Sequence, residues 1–540
     1  MISLFMRRLK LFIIILSTIV CFLIFLPYFF LQTSFGAKLA SQQLSKLSSY
    51  TISIDNIHHS FANLYELSFD NVIISNEKQE IVRIPKLVIG LDKNNLWQLN
   101  HFKYITVING VINYDPDIKH DNFTADTLKL VDSTVNTSFN NGPINLSLQQ
   151  LNGGIKPFSS SGDGNYQFDL TSQYVSLNQL PMNKVLIQGF HRDNITSITN
   201  LGGNFDKGFF VSKLKILSDN SLDIEQLKIS NIHFQTTDDN YFDKYLSALP
   251  KLTLHQLSIF ESSIQLPSLI IDKGNFETAN LRYDDRWHVE DGSIIFNADS
   301  VVWHNNTFSS VLLQLALDDQ QVDIQKAMAT WNNGNVNFSG IWKNNSLYLS
   351  KLLLAGIDYK ITEKLGQFLL PDVFSQVVIN ELTVLPSMLI NTNRTYPFTL
   401  INFEASGSDV ILVKDKKFGL YFGTLFLKAE KGSINGIDVN YPDLVVKFDS
   451  QYNTLLNFSS LVSNGMVEAV AKVNPLQTEF LSLHISAYGI SSLLLDEWKL
   501  VKEPPNTFNY NADLHGDISP FGLSGTFLTN GNEFIVNPQH

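Results

Sequence analysis

Between residues 256 and 266 the chain reads QLSIFESSIQL, with apolar residues at Leu257, Ile259, Ile264 and Leu266. The same spacing returns at Trp287, Val289, Ile294 and Phe296, and again at Leu315, Leu317, Val322 and Ile324. Turn-forming pairs stand between them: Glu261-Ser262, Asp291-Gly292 and Asp319-Gln320. A two-residue hairpin turn sets the residues two before and two after it opposite each other, so all four apolar positions of each stretch fall on one face. Asp-Gly is the strongest of these turn signals, because both central residues need φ > 0. The other face carries Ser258, Ser263 and Gln265, then His288, Glu290 and Ser293, then Asp318, Gln321 and Asp323. Apart from Phe260, Ile295 and Ala316 it is polar. The spacing therefore predicts a one-sided antiparallel sheet.

The pattern recurs along the chain. Ile105 and Val107 precede Asn109-Gly110 and Ile112, and Leu128 and Leu130 precede Asp132-Ser133 and Val135. Leu227 and Ile229 precede Asn231-Ile232 and Phe234, and Leu427 and Ala429 precede Lys431-Gly432 and Ile434. Starts at 227, 257, 287 and 315 are 30, 30 and 28 residues apart. A period of that size is the mark of a repeat array.

A single compact core does not accommodate 540 residues, whereas an elongated array or several domains do. Charged residues are 17% of the chain, below the roughly 25% of ordinary soluble domains. Net charge is −12, which argues against a nucleic-acid partner. Leu11 to Leu31 is uncharged and long enough to cross a hydrocarbon core of roughly 30 Å. Arg7, Arg8 and Lys10 precede it, so the positive-inside bias places residues 1–10 in the cytoplasm and the bulk of the chain outside. The apolar run exceeds the h-region of a cleaved signal, which predicts a retained single-pass anchor over 11–31. Cys21 is the single cysteine, so the exported part is held by burial and sheet hydrogen bonds without disulfides. That fits a bacterial periplasm.

Residues 32–50 predict a short amphipathic helix, with Ser34 as cap and Phe35, Leu39, Leu44 and Leu47 as its stripe. It lies on a membrane surface or closes the end of a sheet. Strand signals follow at 51–57, 67–74 and 82–91, and residues 51–540 read as one β array. Helical patterns are few: NYFDKYLSALP, DYKITEKLGQFLLP and ISSLLLDEWKLV. Residues 153–165 and 501–507 are candidate sub-boundaries.

No catalytic motif is present: no H-E-x-x-H, G-x-S-x-G, Walker A loop or C-x-x-C. Asp115, Asp117 and Asp121 lack the glycine and distal glutamate of a calcium loop and read as a solvated turn. No enzyme activity, metal or cofactor is expected.

The order of parts carries a resemblance. A basic N-terminus, one anchor and a short helix are followed by strands, by the stretch Leu67 to Ile74 of form L-x-[IVF]-x-[ND]-V-x-I, and by Ile105 to Ile112. Residues 1 to 114 resemble the opening of AsmA-like inner-membrane proteins, and most of all the shorter, YicH-like members. The remainder is similar in texture, as a run of degenerate β-repeats. The resemblance implies a periplasmic protein of Gram-negative bacteria whose repeating antiparallel sheet rolls into an apolar groove. The implied role is to bind or conduct phospholipid between inner and outer membranes, or to keep the outer membrane in order. Membrane phospholipids, the inner membrane and docking proteins of the envelope are the partners so implied. The alternative is a scaffold for outer-membrane protein assembly with no ligand. On the leading reading the twelve residues Leu257, Ile259, Ile264, Leu266, Trp287, Val289, Ile294, Phe296, Leu315, Leu317, Val322 and Ile324 line the groove.

Overall fold

The 30-residue step from Leu227 to Leu257 is a strand register. In the computed structural model Leu222–Ser230 lies parallel to Leu252–Gln265, with Leu227 opposite Leu257 and Ile229 opposite Ile259. The same offset sets Ser346–Ala355 parallel to Gln376–Asn391, with Leu347 opposite Val377. A third parallel step sets Ile105 opposite Leu128. The chain is described over residues 12–536, apart from 21, 23–24, 26–27, 31, 61, 77–78, 94–99, 115–122, 140–143, 163, 179, 242–249, 304–305, 362–373, 393–396, 435, 449–452, 475–479, 492–506, 519–520 and 530–531.

The protein is mainly β and most of its neighbouring strands are antiparallel, with further parallel pairs where Asp358–Ile361 and Val111–Tyr114 continue these steps and between His101–Phe102 and Thr124–Ala125. Parallel neighbours need a connection of about a dozen residues or more. Residues 115–127, 236–251 and 362–375 supply those connections, where the sequence breaks its strand pattern. The expected helix over DYKITEKLGQFLLP is partly corrected. Asp358–Ile361 is a strand parallel to Met388–Asn391, and residues 362–373 lie outside the described set. The helical patterns at 242–249 and 492–500, and Asp115, Asp117 and Asp121, also lie outside it. Residues 153–156, expected as loop, belong to the strand Ile144–Lys156. There Gly153 has φ 137°, and a Cβ would stand 2.0 Å from the Asp169 carbonyl oxygen.

Most of the expected hairpins are bulges. Glu261-Ser262 lies within Leu252–Gln265, Asp291-Gly292 within Arg286–Trp303, and Asp132-Ser133 within Leu128–Phe139. Tyr104–Ile108 and Val111–Tyr114 share the same two neighbouring strands, so Asn109-Gly110 kinks one line rather than reversing it. Lys417–Lys428 and Lys431–Ile434 share neighbours in the same way. Asp319-Gln320 does turn the chain, with Leu317 opposite Val322 and Asp318 N–H bonded to Gln321 O at 3.1 Å.

The cause is parity. Side chains alternate faces, so apolar pairs separated by an odd step of five residues share a face only through a reversal or an extra residue. A bulge supplies the extra residue and needs the same φ > 0 that an Asn or Asp tolerates. Asn109, Asp132, Asn231, Glu261 and Asp291 all have φ between 44° and 56°. Tight hairpins sit elsewhere, at Asp193-Asn194, Asp206-Lys207, Asn332-Asn333, Asn344-Asn345 and Asp415-Lys416, with both central φ positive.

The chain divides into two units, Met1–Ser262 with Arg282–Trp287, and Ser263–Leu281 with His288–His540. In the first, the core runs from Ala37 and Ile54 through Val107, Leu130 and Leu151 to Val185. A small sheet of His101–Phe102, Thr124–Ala125 and Phe158–Ser159 packs there through Phe102, Phe123 and Phe158. Among the described residues the second unit holds a buried cluster around Ile379 and Val410 and another around Ile490 and Phe527.

The predicted short helix spans Ser34–Leu47, but its cap is Thr33, whose Oγ1 accepts from Gly36 N–H at 3.1 Å. The predicted stripe does not face the sheet: Phe35, Leu39 and Leu44 are exposed, while Ala37 and Ser41 are buried. Ser41 Oγ accepts from Ile54 N–H at 2.9 Å, and Ser45 Oγ accepts from Ile52 N–H at 2.8 Å. The helix thus closes the edge at Thr51–Ser53 through small side chains that let the two backbones approach. Upstream, residues 12–20, 22, 25 and 28–30 are helical, with Phe12 62% and Phe22 65% exposed. Among the described residues no helix is long and apolar enough to cross a membrane. Arg7, Arg8 and Lys10 lie outside the described residues.

Candidate functional site

Residues directly opposite on paired strands share a face, so the register can be followed from strand to strand. In the first unit one line runs Ile57, Phe69, Leu87, Val107, Leu130, Gly153, Leu170, Ile187, Leu201, Ser212, Leu227, Leu257. Beside it runs Leu67, Ile89, Ile105, Leu128, Ile155, Phe168, Gly189, Ile198, Leu214, Ile224, Leu254. One serine apart, both lines are apolar or glycine throughout.

The opposite face differs. There Ser68, Val88, Thr106, Lys129, Gly154, Asp169, Gln188 and Asn200 stand in line. Gln188 Nε2 donates to Asp169 Oδ1 at 3.0 Å, and Asn200 Nδ2 donates to Gln188 Oε1 at 2.9 Å. That face is built for water.

The second unit repeats the arrangement. One line runs Phe296, Leu313, Ala327, Phe338, Leu352, Leu382, Gly407, Leu425, Val446, Leu456, Ala471, Leu483, Leu514, Gly525. A second runs Ile294, Leu315, Ile324, Gly340, Leu349, Ile379, Val410. A third runs Gly292, Leu317, Val322, Trp342, Leu347, Val377, Val413. The bulges keep these lines on one face by restoring parity within each strand.

The structure thus brings Ile294, Leu315 and Ile324 directly together, sets Leu317 against Val322, and places Phe296 two residues along from Ile294 on the same face. Leu257 and Ile259 belong to the first unit, opposite Leu227 and Ile229. Ile264 is near the end of its strand, and Leu266 N–H bonds Leu269 O in the turn that follows. Val289 N–H bonds Asp319 Oδ1 at 2.7 Å, and Trp287 is exposed beside Tyr283, ring centroids 5.2 Å apart. Apart from exposed Trp287 and buried Ile324, the twelve are half-buried. Ser258, on the polar side of its strand, is nonetheless buried.

Two features escaped the sequence. The lines extend far beyond the twelve residues, from Ile57 and from Leu349 onward. Alternation within each strand was the available signal, but register alone aligns one strand with the next. The second is Tyr510, whose phenol has no hydrogen-bond partner although the residue is only 3% exposed. It lies on the apolar side with Ala512 and Leu514, and burial pushes its pKa up to about 12. Among the described residues no three His, Cys, Asp or Glu side chains converge as a metal would require.

The chain is 25% identical over 505 residues to the AsmA family protein YicH of Escherichia coli (strain K12), covering 91% of this chain and 88% of that protein. The likeness supports membership of the AsmA-like family. No family model matches. The alignment of this AsmA-like chain reaches far past residues 1–114, so the likeness includes the strands that carry the apolar lines.

Proposed function

We propose that this AsmA-like chain is anchored in a bacterial inner membrane and holds or conducts phospholipid acyl chains on its apolar sheet face, supporting outer-membrane homeostasis. The apolar lines across the strands of each unit, interrupted only by Ser212 in the first, carry this reading. A one-sided sheet has to cover its apolar face with something. Each buried methylene is worth about 0.8 kcal/mol, so a 16-carbon chain gains more than about 10 kcal/mol in gross terms. A lining of Leu, Ile, Val, Ala and Gly with a few Phe and one Trp offers that energy along its length, which lets a chain slide. The exposed apolar residues 12–20 and the basic residues Arg7, Arg8 and Lys10 before them support a cytoplasmic N-terminus and a periplasmic bulk. No catalytic step belongs to the proposal.

A photo-crosslinking residue placed at Leu201 or Leu315 in the full chain is expected to capture phospholipid in cells, identified by mass spectrometry. The same residue at Gln188 is expected to capture none. Equal capture from both faces, or none from either, overturns the proposal, and the second result favours a ligand-free scaffold.

A further inference from the structure

One turn of the first unit's sheet is tied to the apolar helical segment that precedes it. Tyr28 stands three residues before the end of the uncharged run 11–31, about 4.5 Å inside it at a rise of about 1.5 Å per residue. Its hydroxyl meets His59 Nδ1 at 2.6 Å, and the two rings pack edge to face at 5.2 Å. On its other side the imidazole meets Leu64 O, 3.0 Å from Nε2. A carbonyl oxygen only accepts, so Nε2 carries the proton, and in the neutral ring Nδ1 accepts from Tyr28. One imidazole therefore separates the apolar segment from the turn that joins Asn56–Ser60 to Asn63–Ser75.

At that turn the strand is apolar on both sides. Tyr65, 43% exposed, lies two residues before Leu67 and continues the apolar face. Leu64, 56% exposed, lies on the side of Ser68, which elsewhere carries Asp169, Gln188 and Asn200. A single exposed leucine on a protein surface is ordinary, but this one stands against Tyr28. Phe35 of the helix Ser34–Leu47 is exposed as well and meets Phe30 edge-on at 5.6 Å, so the apolar surface continues past the end of the run. A headgroup layer is about 5–7 Å thick on each side of the hydrocarbon core, and a tyrosine sits there with its ring inward and its hydroxyl at the wet end. Tyr28 at that level holds Leu64 and Tyr65 at that level. We infer that the turn bearing Leu64 and Tyr65 is inserted into the headgroup layer of the membrane that holds residues 11–31, so that a lipid bilayer covers Leu64, Tyr65 and Phe35. This rests on the proposed membrane anchor, and it opens the apolar face onto the bilayer through Tyr65 and Leu67.

The test uses the full chain with Cys21→Ser, so that a nitroxide attaches only at an introduced cysteine. Labels on Leu64→Cys, Phe22→Cys and Asn200→Cys are compared in vesicles of phosphatidylethanolamine and phosphatidylglycerol. Oxygen concentrates in the bilayer and a nickel chelate stays in water, so their relative access to the label reads depth. The oxygen-to-nickel ratio is expected to be several-fold higher at Leu64 than at Asn200, and highest at Phe22. A label at Leu64 as open to the chelate as that at Asn200, with Phe22 shielded, removes this inference alone. A label at Phe22 open to the chelate removes the anchor and this inference with it. A photo-crosslinking residue at Leu64 in cells gives a second measurement on the chain that keeps Cys21. Phospholipid capture is expected there although Leu64 lies off the apolar face. No capture at Leu64 while Leu201 captures overturns the insertion. Capture at Leu64 with none at Leu201 or Leu315 supports it and removes only the acyl-chain reading of the apolar face.

Discussion

Ser262 Oγ accepts a hydrogen bond from the backbone N–H of Ile232 at 3.2 Å and donates to Phe260 O at 2.8 Å. Ser387 treats Ile357 N–H and Leu385 O alike, at 3.1 and 2.7 Å. Ser133 does so for Gly110 N–H and Val131 O, at 3.3 and 3.1 Å. Each N–H belongs to the residue after a positive φ, at Asn231, Gly356 or Asn109. The kink turns that donor out of the sheet ladder, and a buried serine on the parallel neighbour takes it up.

Removing such a serine leaves a buried donor unmade, which costs about 1–3 kcal/mol. Ser262→Ala and Ser387→Ala are each expected to lower unfolding free energy by that amount. The two sites share no partner, so the double variant is expected to show the sum. Denaturant titration measures it. A loss below about 0.5 kcal/mol for either, the level of a neutral surface change, would remove the serine's role.

The edge beside the helix Ser34–Leu47 depends on the same chemistry. Ser41→Ala is expected to speed hydrogen exchange at the Ile54 amide and to destabilise by about 1–3 kcal/mol. Lys38→Ala, on the exposed side, should leave that amide unchanged. Unaltered protection of Ile54 in the serine variant would show that the helix does not close this edge.

Tyr510 contributes a pH dependence of known sign. Its folded pKa is raised by burial from 10.0 to about 12, so the neutral phenol is favoured in the folded state. The associated stability is fully present below pH 10 and is lost as pH rises from 10 toward 12. Tyr510→Phe removes an orphaned hydroxyl and is expected to be neutral or stabilising by about 1 kcal/mol. Thermal unfolding between pH 9 and 12, which spans that titration, should fall less steeply for the variant than for the wild type. A steeper fall contradicts the assignment.

Charges placed on the apolar face should act differently by position. Leu130 is 5% exposed in the packed core of its unit, and Leu130→Asp is expected to abolish accumulation, because an unpaired buried charge costs several kcal/mol. Leu317 is half-buried, and Leu317→Asp is expected to leave protein levels near normal while reducing phospholipid capture from Leu315. Immunoblots read the first outcome and crosslinking yields the second. Normal capture in the Leu317 variant would show that this stretch of the face carries no acyl chain.

Alternation of Leu, Ile and Val with polar residues determined a one-sided β protein, and it put Leu315, Leu317, Val322 and Ile324 on a common face. The 30-residue spacing of Leu227 and Leu257 carried the offset of a parallel strand pair, while the next steps to Trp287 and Leu315 did not. What alternation left open was the meaning of the odd five-residue step. It satisfies a hairpin at Asp319-Gln320 and a bulge at Asp291-Gly292 equally, because both restore parity and both accept Asp. Local residues do not separate the two. The choice lies with the neighbouring strand, which either runs past the kink, as Leu128–Phe139 runs past Asn109, or is made by the turn itself. The long apolar lines are likewise decided only in the folded chain. They depend on register between strands, and register is set by the bonds one strand makes to the next.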